Sequence, residues 1–114
     1  MQKSKEQLKT VIRPNFEGKD RMYLTDLAEF EGRNPKLKTF SLAKLLPGEQ
    51  VGFHEHIGES ESYYIISGKG VYNDDGEESE IGPGDVTFTP SGESHGIRNT
   101  GDEMLEFIAL VILD

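Results

Sequence analysis

From Pro47 onward the chain cannot hold one backbone direction for long, because turn-forming clusters keep interrupting it: Pro47-Gly48, Asp74-Asp75-Gly76, Gly82-Pro83-Gly84, Pro90-Ser91-Gly92 and Asn99-Thr100-Gly101. Proline presets φ for a turn, glycine reaches positive φ at little cost, and Asn and Asp close turns with their own side chains. The apolar runs between these clusters are brief, as strands are, and they predict strands over Lys38–Leu45, Gln50–His56, Ser62–Ser67, Gly70–Asn73, Asp85–Thr89, His95–Asn99 and Leu105–Leu113. Strands at this spacing pack as an antiparallel sandwich or barrel. Helical signal is confined to the start, over Lys3–Val11 and over Tyr23–Phe30 with Thr25 or Asp26 as its cap. The sequence therefore predicts an all-β fold with a partly helical or extended N-terminal arm over residues 1–37 and a barrel over 38–114.

With 114 residues, 34% of them hydrophobic, the chain supports one core. No apolar run approaches the roughly 18–20 residues that cross a bilayer. The opening MQKSKEQLKT lacks the apolar stretch of a secretory signal. The absence of cysteine removes disulfides and thiolate metal sites. The expectation is a soluble, cytoplasmic protein with no membrane partner.

The net charge of −9 is unevenly placed: residues 1–47 carry ten Lys and Arg against six Asp and Glu, and the remainder carries two against fifteen. A duplex binder needs a concentrated basic face, so nucleic acid is not expected as a partner. The basic segment could instead lie across the acidic one, in the same chain or in a partner. The acidic run 74–80 reads as a solvated hairpin tip.

Chemistry concentrates in the stretch GEQVGFHEHIGESESYYIISG, which begins at Gly48. Residues two apart on a strand share a face, so His54 and His56 aim both imidazoles the same way while Glu55 faces solvent. A turn at Ile57-Gly58 brings the chain back, and Glu61 enters the next strand with the parity of Tyr63 and Ile65. Glu59 shares that parity but falls in the turn, where it reads as a surface charge. His95 follows a Pro-x-Gly turn and opens another strand. The chain has three histidines, and all of them fall where one site would need them. Three neutral imidazoles and a carboxylate suit one divalent transition metal, whether Mn, Fe, Co, Ni, Cu or Zn. An octahedral ion held by four protein atoms keeps two positions for water, oxygen or a ligand.

These residues resemble the cupin family. Its first motif (Gly, five residues, His-x-His, three or four residues, Glu, six residues, Gly) is matched by Gly48, His54, His56, Glu61 and Gly68. Its second motif (Gly, five residues, Pro-x-Gly, two residues, His, three residues, Asn) is matched by Gly84, Pro90, Gly92, His95 and Asn99. The resemblance implies a double-stranded β-helix, or jelly-roll, barrel with the metal near one mouth, and a homodimer that exchanges N-terminal strands. Asn99 is expected to bond within the barrel or to shape the turn before Thr100-Gly101.

Fold likeness alone does not choose a reaction. The leading expectation is a metal-dependent enzyme, an oxidoreductase or isomerase, acting on a small oxygen-bearing molecule. By strand parity Gln50, Tyr63, Ile97 and Phe107 are its pocket wall. The alternative is a barrel that binds or senses a small molecule without turnover. A sugar-phosphate isomerase fits less well, because from residue 48 onward Lys69 and Arg98 are the only basic side chains available to a phosphate.

Overall fold

A computed structural model describes residues 1–15 and 20–114. Among these, β1 (Thr10–Asn15), β2 (Asp20–Asp26), β3 (Leu37–Leu45), β4 (Gln50–Glu55), β5 (Glu59–Ser67), β6 (Gly70–Asp74), β7 (Glu77–Ile81), β8 (Ser94–Asn99) and β9 (Leu105–Leu113) form two antiparallel sheets. The five-stranded sheet runs β1-β2-β3-β9-β5 and the four-stranded sheet runs β4-β8-β6-β7. Alternation explains the packing. On β9, Leu105, Phe107, Ala109 and Val111 are buried while the residues between them are less so, and β3 turns Ser41, Ala43 and Leu45 inward in the same way. Their inner faces meet Val51, Tyr72, Ile81 and Ile97 from the other sheet in one core.

The N-terminal segment is mostly extended. One 3-10 turn at Lys5–Gln7 is the helical content of the first stretch, closed by a reciprocal capping box between Ser4 and Gln7. The helical turn expected over Tyr23–Phe30 is instead strand through Asp26, because Tyr23 to Asp26 pair with Lys44 to Ser41 of β3. Asp26 does cap, accepting from the Ala28 N–H at 2.9 Å, but it ends a strand by doing so. Charge drove part of this placement. Ion pairs Arg21–Glu49 (2.7 Å), Lys38–Glu59 (2.6 Å) and Lys44–Glu106 (3.2 Å) join the basic segment to the acidic one within a single chain.

Two other segments depart from expectation. Residues 85–89 lie antiparallel beside β5 but touch it through isolated bridges, Glu61 to Thr89 and Tyr64 to Val86. The Tyr63 N–H donates to the Thr87 side-chain oxygen (3.1 Å), not to a backbone carbonyl, which interrupts the ladder. The acidic run is a hairpin whose tip is Asp75-Gly76, both at positive φ, and Glu77–Ile81 returns as a full strand. Asn99 fills both expected roles: its amide donates to the Leu45 and Glu103 carbonyls at 2.8 Å, and its side-chain oxygen accepts from the Gly101 N–H at 2.9 Å.

Gly68 closes the β5–β6 turn at φ +82, and a Cβ there would fall 2.5 Å from the Met104 carbonyl oxygen. Gly84, at φ +90, faces nothing within 4 Å. Both substitutions carry conformational strain but only the first adds a backbone clash, so Gly68→Ala is expected to cost about 3 kcal/mol and Gly84→Ala about 1 kcal/mol. Urea unfolding of the two variants checks the order, and equal losses would refute the packing account.

Candidate metal centre

The four candidate ligands come from both sheets. β4 and β8 bring His54 opposite His95 in register. Just past the end of β4, His56 is pinned by backbone bonds, its N–H donating to the Glu93 carbonyl (3.0 Å) and its carbonyl accepting from Gly92 (2.7 Å). The fourth, Glu61, sits on β5, tied to Thr89 by a reciprocal pair of backbone bonds at 3.0 and 2.8 Å. The Pro90–Gly92 turn thus connects the segment that holds Glu61 to the one that holds His56 and then delivers His95. Three of the four are buried, and all four donor atoms lie within 4.8 Å of one another. The imidazole rings are nearly equidistant, with centroids 4.7 to 4.8 Å apart.

Each ring is oriented through its far nitrogen. His54 Nδ1 lies 2.7 Å from the Gly52 carbonyl, His56 Nδ1 2.6 Å from Glu59 Oε2, and His95 Nδ1 2.8 Å from the Tyr72 hydroxyl, which in turn lies 3.0 Å from Thr89 Oγ1. A carbonyl oxygen only accepts, so His54 carries its proton on Nδ1. Burial lowers the His54 pKa and keeps that ring neutral, so its Nε2 presents a lone pair. Glu59 sets the same tautomer on His56. Burial pushes the Glu59 carboxyl up, but hydrogen bonds from Lys38 and His56 together outweigh it and hold the group below the usual carboxylate range.

These orientations crowd electron-rich atoms together. His56 Nε2 lies 3.0 Å from the Nε2 of His54 and 3.0 Å from that of His95, and Glu61 Oε1 lies 3.0 Å from His56 Nε2 and 2.8 Å from His95 Nε2. Two donors each about 2.1 Å from a shared ion and at right angles to one another are about 3.0 Å apart. The donor set, its tautomers and its spacing therefore fit a divalent cation, and the four residues form a group that could bind one.

The group opens on a pocket of about 180 Å³ lined in part by Val51, Tyr63, Phe107, Arg13 and Lys38. Tyr63 stacks on His95, ring centroids 4.9 Å apart, and burial above all, then the neighbouring Glu61 charge, raises its phenol pKa well above the ordinary value. Gln50 and Ile97 line a different pocket with Gly96 and Arg98. The cause is a register shift between Val51 and His54, where the pairing of β4 with β8 slips and Val51 takes the inward place that simple alternation gives to Gln50.

Sequence reasoning missed four side chains that shape the site. Glu59 is not a surface charge: its side chain is 12% exposed, because β5 begins at Glu59 and turns it onto His56. Tyr72 lies on a strand whose Gly70-x-Tyr72 alternation pointed inward and could have been read. Arg13 and Lys38 come from the basic segment, for which the lopsided charge was the one available signal.

A model of the Cupin_2 family, described as the cupin domain, matches residues 41–112. The chain is a cupin. It is 48% identical over 96 residues to a Thermotoga maritima protein named as an oxalate-binding protein, a match that spans 84% of this chain and 79% of that one. The crystal structure of a predicted oxalate decarboxylase from Thermotoga maritima superposes with a TM-score of 0.90 at 42% identity, over 100% of both chains. A cupin 2 conserved barrel domain protein from Salinispora arenicola shares the fold, with a TM-score of 0.74 at 23% identity, over 100% of this chain and 87% of that one.

Orienting partners of histidine ligands typically govern affinity by 10- to 100-fold. Tyr72→Phe, which deletes the oxygen shared between His95 and Thr89, is expected to weaken binding of Mn²⁺ or Co²⁺ by about tenfold while the fold stays intact. Chelator competition measures it; unchanged affinity would show that Tyr72 does not set the His95 ring.

Proposed function

We propose that this cupin holds one divalent transition metal through His54, His56, Glu61 and His95 and uses it to bind a small oxygen-rich acid, with oxalate the first candidate. The observation that carries the reading is the convergence of these donors at a small pocket whose wall includes Arg13 and Lys38. A bound divalent ion would supply positive charge and open positions for two ligand oxygens. The basic side chains suit the remaining negative charge, and the likeness to an oxalate-binding protein supports oxalate in particular.

Binding without turnover is favoured by the pocket's acid–base groups. Cleaving the monoanion of oxalate into carbon dioxide and formate moves one proton from oxygen to the carbon left behind. Glu59 is held ionised by Lys38 and His56, and Tyr63 is held as a phenol of raised pKa, so neither is poised to deliver that proton. The second reading, a metal-dependent enzyme, draws support from the likeness to the predicted oxalate decarboxylase.

Calorimetry on protein reconstituted with Mn²⁺, Co²⁺, Ni²⁺ or Zn²⁺ is expected to show stoichiometric oxalate binding that vanishes in metal-free protein and in His54→Ala/His56→Ala. Failure of every loaded form to bind oxalate would overturn the reading. Formate release above the protein-free rate would transfer it to the enzyme.

A further inference from the structure

Beside the metal pocket lies a larger cavity of about 540 Å³, and the two share Arg13, Leu24, Lys38 and Thr39 in their walls, so they are continuous. This vestibule is built by the N-terminal hairpin. On β1, Lys9 (just before the strand), Val11 and Arg13 alternate onto its side, and Val11 pairs across the strands with Leu24 of β2. β3 contributes Thr39 and Ser41.

Its chemistry is asymmetric. Four cations, Lys9, Arg13, Arg33 and Lys38, face two carboxylates, Asp26 and Glu29. Two of the cations are occupied: Arg33 reaches Asp26 (3.4 Å) and the Ala28, Leu37 and Lys38 carbonyls, and Lys38 is held by Glu59. Arg13, at the junction of the two cavities, has no ion-pair partner among the described residues.

Ser41 is the second, independent observation. It is 6% exposed, it lines the vestibule, and its hydroxyl has no hydrogen-bond partner among the described residues. Buried hydroxyls are nearly always satisfied, and leaving one bare costs stability. A bare one at the wall of a cationic cavity is a place for a ligand oxygen.

Building on the metal-dependent acid-binding reading above, we propose that the vestibule is a second subsite taking the distal anionic end of a ligand longer than oxalate. The chemical class is a 2-oxo dicarboxylic acid. Its oxo acid end occupies the metal pocket, its short carbon chain lies along Val11 and Leu24, and its far carboxylate meets Arg13 and the Ser41 hydroxyl. Oxalate, which has no chain, fills the inner part alone.

The test is calorimetry on protein loaded with Mn²⁺, comparing oxalate with matched pairs of 2-oxo acids: 2-oxoglutarate against 2-oxovalerate, and oxaloacetate against 2-oxobutyrate. The dicarboxylate of at least one pair is expected to bind about tenfold more tightly than its monocarboxylate partner. Arg13→Gln is expected to erase that preference while leaving metal loading and oxalate affinity within about twofold. Ser41→Ala is expected to weaken the dicarboxylate without lowering the unfolding midpoint, since no internal bond is lost. Equal affinities within both pairs in the wild type would overturn the second subsite, as would an Arg13→Gln variant that keeps the preference. If oxalate binds and no 2-oxo acid does, the vestibule inference falls and the metal-dependent reading stands. If neither oxalate nor any 2-oxo acid binds the loaded protein, both fall together.

Discussion

Three imidazole nitrogens and a carboxylate oxygen turned toward one point form the arrangement on which everything else in this barrel depends. Such a cluster is unfavourable by itself, since lone pairs and a negative oxygen repel at 3 Å separations. It persists because each ring is fixed from behind: His54 by the Gly52 carbonyl, His56 by Glu59, His95 by Tyr72. Those three partners sit on β4, β5 and β6, so the orientation of the centre is distributed over both sheets. The hydrophobic core does the rest, with Phe107 and Tyr63 closing the floor beside His95. A pocket organised this way needs little rearrangement to receive a cation, and that preorganisation is what lets a small domain hold one tightly.

The two sheets divide the labour. The four-stranded sheet carries His54 and His95, and the five-stranded sheet carries Glu61 together with the hairpin that walls the vestibule. Short surface pairs such as Arg21–Glu49 and Lys44–Glu106 stitch the basic N-terminal segment onto the acidic remainder. Exposed pairs of this kind contribute little stability individually. Their larger effect is on placement, because they hold β1 and β2 where Arg13 can overlook the metal pocket.

Much of the barrel was legible from residue order alone, and the reasons are local. Turn chemistry marked the ends of β3, β4, β8 and β9 to within a residue, and the spacing of His54, His56, Glu61 and His95 against those turns identified the donor group. Where alternation and propensity misled, a non-local cause was at work. The slip in β4 inverted the parity of Gln50, because a bulge is invisible to a rule of alternation. Residues 85–89 looked like a strand yet lost their ladder to one threonine side chain. Tyr23–Phe30 carried a weak helical pattern that pairing with β3 overrode. The vestibule lay beyond reach for a different reason: counting cations by their distance along the chain from the histidines excludes Arg13, which arrives through the sheet.

The position of β1 at the outer edge of its sheet has an evolutionary meaning. A border strand is bonded to one neighbour, so its residues can drift with few constraints from the interior, whereas the cation-holding strands are locked from several directions at once. Ligand preference written on such a margin is exchangeable: lineages can rewrite Lys9, Val11 and Arg13 and inherit the inner coordination machinery unaltered. A barrel with a fixed heart and a revisable rim is a simple way for one small scaffold to serve many different acids.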